Sequence, residues 1–422
     1  MRNRDYFKNK RVLVVGLARS GVASANLLFD LGVKVRITDN KDNESTRQNV
    51  SKLKSKEIKV ELGSHSKAFV EGNDILILSP GVPNEALPVV WAEQLKIRVI
   101  SEIELAWFLC PATIIAVTGA NGKTTVTTLI GKIFEAAGKK VFVCGNIGNP
   151  FSAEVEKIKE GDFVSLEVSS FQLERIADFK PKVSVILNFT SNHLDRYKDM
   201  QEYLQAKKRI FMNQDKADFA VLNEEDPILR ELAKEVKANV VFFSKKEGLN
   251  PNQAAVSAVG SIFNVDKKLI LEVFKGFKGI EHRMEFVAEI NKVRFINDSK
   301  ATTVDSAMWA LKNIDTPVIL IAGGKHKGVD YREILDLARS KVRKVILIGE
   351  AKEKIGAAFE GSLSIDKAST LEEAVSNAFG KALPGDSVLL SPMCSSYDMF
   401  SNYEERGAVF KKAVLDLANN KV

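Results

Sequence analysis

Gly119, Asn121, Gly122, Lys123, Thr124 and Thr125 fall within one short stretch, Ala116-Val-Thr-Gly-Ala-Asn-Gly-Lys-Thr-Thr-Val126. These types in this order suit a polyphosphate. Backbone N–H groups and a helix N-terminus face the anion, the Lys ammonium reaches its outer oxygens, and a Thr hydroxyl can ligate Mg²⁺. The loop is shorter than the usual G-x-x-x-x-G-K-[ST], with Val117 where the first Gly would fall. An apolar run from Thr113 to Val117 predicts a buried strand before it. Val126, Leu129, Ile130, Ile133 and Phe134 recur at helical spacing after it.

Further polar segments follow apolar runs. Strand Phe163–Val168 carries Glu167 near its end, where a carboxylate can bind Mg²⁺ or orient a nucleophile. Strand Val183–Asn188 leads into Asn192-His193-Leu-Asp195, and His193 is one of only four histidines. In that polar setting it reads as a second metal ligand. Lys207 and Lys208 share a helix with Tyr203, Ile210 and Phe211, and their types alone predict two solvated side chains. Glu281-His282-Arg283-Met-Glu285 offers a guanidinium whose planar fork fits phosphate oxygens. Asn297-Asp298-Ser-Lys300-Ala-Thr302-Thr303 puts a ribose-type acceptor and an ammonium in one loop. Gly323-Gly-Lys325-His326-Lys327-Gly328 is a Gly-rich anion loop, and Ser391-Pro-Met-Cys-Ser395-Ser396-Tyr397-Asp398 completes the set.

The elements that must hold these loops alternate strand and helix. Strands are predicted at Val12–Val15, Lys34–Thr38, Ile75–Leu78 and Arg98–Ile100, with a helix over Gly21–Leu31: a doubly wound α/β unit. Its first turn, Gly16-Leu-Ala18-Arg-Ser20-Gly21, approaches G-x-G-x-x-G, and Asp39-Asn40 follows the second strand. Ala18 replaces the Gly against which a pyrophosphate would lie, yet a nucleotide-diphosphate contact still fits. Ser79-Pro-Gly81-Val-Pro83 is a rigid loop where ligands of such sheets sit. Further strands are predicted at Val141–Cys144, Phe219–Leu222 and Val240–Phe243, then at Val293–Ile296, Val318–Ala322, Lys344–Gly349 and Ser387–Leu390. The expectation is three consecutive α/β domains: a Rossmann-like one over 1–108, a P-loop ATPase-like one over 109–279 and a Rossmann-like one over 280–422.

Composition narrows the classes. Hydrophobic residues make up 45% and charged ones 27% of 422 residues, as in soluble globular proteins. No apolar run approaches the ~20 residues of a membrane span, and the early run Val12–Ala18 stops at Arg19, so it is not a secretory signal. Cys110, Cys144 and Cys394 lack metal-ligand or CxxC spacing and read as small buried hydrophobes of a reducing compartment. The net charge of +7 comes without a basic tail or aromatic-interleaved basic run, so no nucleic-acid partner is expected. A polyanionic small substrate explains it equally well.

Together these segments resemble the Mur ligases, ATP-dependent amide-forming enzymes of peptidoglycan precursor synthesis, over essentially all 422 residues. The general features are the short phosphate loop, Glu167 in Glu-Val-Ser-Ser-Phe-Gln-Leu, and Asn192-His193-Leu-Asp195. Asn297-Asp-Ser-Lys-Ala-Thr302 and the Ser391 to Phe400 segment point to the branch that adds D-glutamate to UDP-N-acetylmuramoyl-L-alanine. The resemblance implies ATP and two Mg²⁺ ions as cofactors and a cytoplasmic monomer without membrane insertion. It implies that Lys123, Glu167, His193 and Lys207 are catalytic, the last as a carbamylated lysine with Lys208 as the alternative. Thr124, Glu167, His193 and Lys207 would hold metal. Gly119, Asn121, Gly122, Lys123, Thr124, Thr125, His282, Arg283, Asp298 and Lys300 would meet ATP. Gly16, Ala18, Ser20, Asp39, Asn40, Ser79, Gly81 and Asn146 would meet the UDP-sugar, and Thr302, Lys327, Ser396, Tyr397 and Tyr403 D-glutamate. Two positions depart from the pattern: Gln253 stands where an Asn beside adenine is usual, and Tyr403 where Phe is familiar.

Other readings are a sister ligase with another acceptor, a folylpolyglutamate-type ligase, a nicotinamide-dependent dehydrogenase and a nucleotide switch. The dehydrogenase would leave the phosphate loop idle. The folyl-type ligase would not need the ~100 residues in front of that loop.

Overall fold

A computed structural model describes residues 3–190, 197–245, 248–326 and 328–419. The chain forms two compact units, Met1–Gly276 and Phe277–Val422. The first contains two parallel sheets. β1 (Arg11–Val15), β2 (Lys34–Asp39), β3 (Lys59–Leu62), β4 (Ile75–Leu78) and β5 (Arg98–Ser101) lie in the order β3-β2-β1-β4-β5. β6 (Thr113–Thr118), β7 (Val141–Gly145), β8 (Phe163–Glu167), β9 (Val183–Ile186), β10 (Phe219–Asn223) and β11 (Asn239–Phe243) follow as β11-β10-β9-β6-β8-β7. β1 and β6, the first strands of the two sheets, carry apolar runs (Val12–Val15 and Ile114–Val117) and are flanked on both sides. Chain direction diverges there, which opens a crevice beyond the strand carboxyl ends.

Buried carboxylates tie these two sheets together. Glu104, in the helix Glu102–Leu109, accepts the backbone N–H groups of Ala177, Asp178 and Phe179 at 3.0, 2.8 and 2.9 Å. Glu102 accepts that of Ser152 at 2.6 Å. Burial pushes both carboxyls above their ordinary range. One apolar core runs from Val12 and Leu28 through Ile103 and Leu109 to Leu166 and Phe179.

The second unit holds a mixed sheet. β12 (Glu285–Ile290), β13 (Val293–Asn297), β14 (Val318–Gly323), β15 (Val342–Ile348), β16 (Ile365–Lys367) and β17 (Ser387–Leu390) lie as β12-β13-β17-β14-β15-β16. Only β12 is antiparallel, joined to β13 by a tight turn at Asn291-Lys292 with φ of 53° and 65°. Each face of this sheet packs against helices. All three cysteines are buried and none is in a disulfide, as their spacing predicted. Among the described residues, no helix is long and apolar enough to cross a membrane.

Candidate active site

The phosphate loop lies between β6 and the helix Lys123–Ala136. Gly122 takes φ of 82°, a conformation that favours glycine, and a Cβ there would also push aside the Asn252 side-chain amide. The loop is shaped by Asn188, just past β9. Its Oδ1 accepts the N–H groups of Ala120 and Asn121 at 3.0 and 2.9 Å, and its Nδ2 donates to the carbonyl of Asn121 at 3.1 Å. Lys123 Nζ turns back over the loop to the carbonyls of Gly119 and Ala120 at 2.9 and 3.0 Å.

Lys207 arrives from a different helix, Met200–Lys208, and donates to the same Gly119 carbonyl at 3.0 Å. Its side chain is buried, with Nζ over the Tyr203 ring. Burial, with the Lys123 ammonium beside it, holds its pKa well below the ordinary lysine value. Types alone predicted a solvated side chain. The helix instead turns its Tyr203, Ala206 and Lys207 face inward, while Lys208 pairs with Glu235.

Glu167 ends β8 beside this loop and is 2% exposed. Its Oε1 accepts from Asn146 Nδ2 at 2.7 Å, and its backbone carbonyl accepts the Asn146 N–H at 2.9 Å. Its Oε2 is buried without a hydrogen-bond partner among the described residues. A buried carboxylate oxygen in that condition carries a large desolvation cost, which a hard cation would offset. Thr124, with its hydroxyl in the first helical turn, is buried as well. These groups fit Mg²⁺.

In the first sheet, Ser79 Oγ donates to the Gly16 carbonyl at 3.0 Å, joining the two loops expected to meet a nucleotide diphosphate. Asp39 accepts the N–H groups of Leu17 and Lys41 at 2.7 and 2.9 Å. Ala18, Asn40 and Gly81 are exposed and Ser20 half-buried, all on this rim. Arg19 donates across to the Gly148 carbonyl at 2.6 Å, linking that rim to the segment carrying Asn146.

In the second unit, His282 is buried, and its ring nitrogen Nδ1 is 3.0 Å from Asn297 Nδ2. Burial lowers its pKa, so the ring is neutral near pH 7. A Cβ at Gly407 would collide with this imidazole, so the last helix must carry glycine there. Asp298 Oδ1 accepts the Met284 N–H at 3.2 Å and Oδ2 accepts the Ser391 hydroxyl at 3.0 Å. Burial pushes its carboxyl up to about 7. Lys300 is fixed through its N–H to the His282 carbonyl at 3.0 Å. The His282 to Met284 backbone is thereby hydrogen-bonded to both Asp298 and Lys300. Both His282 and Met284 have positive φ, 62° and 46°, a strained hairpin of the kind that gathers at functional loops.

Ser396 is buried and Tyr397 is 70% exposed beyond it. Thr302 and Tyr403 are half-buried. His193 and Lys327 lie outside the described residues. Sequence reasoning missed Asn188 and Asn252. An Asn closing an otherwise apolar strand was the available sign of the first; nothing in local spacing marked the second. Gln253, beside adenine in the expected pattern, instead receives the Asn250 N–H at 3.1 Å and caps its own helix.

Three family models match in chain order. They are the Mur ligase MurD-like N-terminal domain over residues 10–101, the Mur ligase middle domain over 117–289, and the Mur ligase glutamate ligase domain over 282–394. A curated protein of Thermoanaerobacter pseudethanolicus, named UDP-N-acetylmuramoylalanine–D-glutamate ligase, is 42% identical over 97% of this chain and 99% of its own. The chain belongs to the Mur ligase family.

A second Mur ligase of the same name, from Geotalea uraniireducens, is 43% identical over 97% of this chain and 98% of its own. Among solved structures, the UDP-N-acetylmuramate–alanine ligase of Thermotoga maritima aligns with a TM-score of 0.56 at 17% identity. It covers 98% of this chain and 100% of its own. That likeness concerns the fold: the Mur ligase architecture of three α/β domains with parallel sheets is the one expected from the alternating strands and helices.

Proposed function

We propose that this Mur ligase joins D-glutamate to UDP-N-acetylmuramoyl-L-alanine at the expense of ATP, in the cytoplasm and as a monomer. The observation that carries the site assignment is the convergence of Lys123 and Lys207 on Gly119, in a loop held by Asn188 and neighboured by the unsatisfied Glu167 carboxylate.

The reaction follows from these groups. A carboxylate oxygen of the alanyl residue attacks the γ-phosphorus of ATP, and the bond to the β–γ bridging oxygen breaks, giving an acyl phosphate and ADP. The amine of D-glutamate attacks the acyl carbon and loses a proton, and the tetrahedral intermediate expels phosphate to leave the amide. Lys123 and the loop N–H groups stabilise charge on the transferring phosphoryl group, and they are in place before it develops. Mg²⁺, held by Thr124 and Glu167, with His193 and a carbamylated Lys207 at a second ion, would withdraw charge from the phosphate oxygens. Lys207 supports its own part in this: burial disfavours its ammonium, and the free amine is the form that adds carbon dioxide. Arg283, Asp298 and Lys300 serve the nucleotide, the carboxylate accepting from ribose and the cations facing phosphates. Ser396, Thr302, Lys327, Tyr397 and Tyr403 receive the amino acid, and the Gly16, Asp39 and Ser79 rim receives the UDP moiety.

Phosphate release from ATP and Mg²⁺ tests the reading. It should require both UDP-N-acetylmuramoyl-L-alanine and D-glutamate, with L-glutamate and L-alanine inert. Release with another amino acid would move the chain to a sister ligase, and release without an acceptor would remove the last unit from the reaction.

A further inference from the structure

Arg406 lies in the first turn of the last helix, Tyr403–Asn419, and is 1% exposed. A cation is disfavoured there twice over, by burial and by the positive end of the helix. Among the described residues its hydrogen bonds all go to neutral acceptors. Nε donates to Ser299 Oγ at 3.0 Å, Nη2 to the Ser299 carbonyl at 2.8 Å, and Nη1 to the Cys394 carbonyl at 3.1 Å. Ser299 Oγ in turn donates to the Tyr403 carbonyl at 2.8 Å. A Cβ built on Gly324 would stand 3.1 Å from Nη1, so the Gly-rich loop after β14 also rests against the guanidinium.

Ser299 sits between Asp298 and Lys300, Cys394 sits just before Ser395-Ser396, and Gly324 opens the loop that leads to Lys327. One planar group thus spans three loops that come from three different strands, β13, β17 and β14. A buried guanidinium that Asp398 favours only through its charge, with every hydrogen bond above going to a neutral oxygen, is costly, and such a cost is tolerated where rigid geometry or an incoming anion offsets it. Even with its pKa pressed down to about 10 by burial, the group stays charged at neutral pH.

We propose that Arg406 is a positioning residue: it fixes the nucleotide-side loop Asn297–Thr302 against the acceptor-side loop Ser391–Ser396, so that ATP and the amino acid meet a preset spacing. The inference rests on the assignment of those loops in the proposed function. Its five fixed N–H donors make the bridge rigid in a way a lysine ammonium cannot reproduce. The next residue, Gly407, admits the His282 imidazole, so two adjacent positions in a single helical turn set both the loop spacing and the seat of the histidine.

The test is steady-state kinetics with thermal melting on full-length Arg406→Gln, Arg406→Lys and Ser299→Ala. Arg406→Gln should raise KM for ATP and for D-glutamate together, by about 10-fold or more, because both loops lose their common brace. KM for the UDP-sugar, whose expected contacts lie in the first unit, should stay within about 2-fold. Arg406→Lys should recover only part of the loss, and Ser299→Ala should shift the same two constants by about 3-fold. Folded variants with unchanged KM for ATP and amino acid would overturn the proposal, as would an equal rise in all three constants tracking a fall in Tm. If Arg406→Gln fails to fold, Ser299→Ala decides alone. A wild type whose turnover ignores D-glutamate would overturn the acceptor assignment instead, and the ATP constant would then judge Arg406.

Discussion

The ammonium groups of Lys123 and Lys207 share one acceptor, the Gly119 carbonyl, at 2.9 and 3.0 Å. Two cations on one carbonyl repel each other, and the buried one yields: the Lys207 ammonium is the disfavoured form. In the proposed mechanism Lys123 meets phosphate, while burial biases Lys207 toward its neutral amine.

In the proposed mechanism, replacing Lys123 removes the charge that meets the transferring phosphoryl group. Lys123→Ala should lower kcat by a factor of about 10³ or more. Rapid-quench measurement of acyl-phosphate formation checks this, and near-normal turnover would exclude the role.

Asn188 contributes three side-chain hydrogen bonds to the loop, beside those of Lys123 and Lys207. Asn188→Ala should weaken ATP binding by about 10-fold and cost about 1–3 kcal/mol of stability. Calorimetric titration with a non-hydrolysable ATP analogue, alongside urea unfolding, measures both. Unchanged affinity would mean that the loop keeps its shape without this side chain.

Glu167→Gln retains the size and one oxygen of the side chain but removes its charge. The Mg²⁺ concentration for half-maximal activity should rise by about 10-fold or more, since the hard cation loses an anionic ligand. A magnesium titration at fixed ATP decides it; an unaltered midpoint would take Glu167 out of the metal site.

Asp298 links stability to pH. Its carboxyl is raised from 3.8 to about 7 in the folded protein, so the native state binds this proton more tightly than the unfolded chain. The contribution is fully present below pH ~4 and is lost as pH rises to ~7, with a slope approaching about 1.4 kcal/mol per pH unit. Asp298→Asn should abolish that slope. Urea unfolding of both proteins from pH 5 to 8 isolates the term, because other titrating groups cancel in the difference. A pH-independent difference would contradict the shift.

Gly407→Ala sets a methyl group against the His282 ring. Overpacking of about 1–3 kcal/mol is partly offset by about 1 kcal/mol of helix propensity. Tm should therefore move little while KM for ATP rises several-fold as the histidine is displaced. A variant with altered Tm and unchanged KM would separate His282 from the nucleotide.

The central strands were readable because burial on both faces writes an apolar run: Val12–Val15, Thr113–Val117 and Val318–Ala322 all appear as β-strands. Lys59–Leu62, Glu285–Ile290 and Ile365–Lys367 were not anticipated. All three lie at sheet edges, where one face or one side meets water and polar residues interrupt the run. The phosphate loop was legible for the same local reason, as strand, glycines and helix are contiguous. Lys207 and Asn188 reach that loop from 88 and 67 residues away, and no local pattern encodes such a meeting. The role of Lys207 came from family resemblance, while Arg406 looked like any charged residue of a terminal helix.

The junction formed by Glu104 has a consequence for how such a chain can vary. Its carboxylate reads three consecutive backbone N–H groups, at Ala177, Asp178 and Phe179, and none of their side chains. Substitutions in that receiving segment leave the bonds intact, whereas inserting or deleting one residue shifts every donor out of line. The joint between the two sheets therefore tolerates drift in letters and resists any change in spacing.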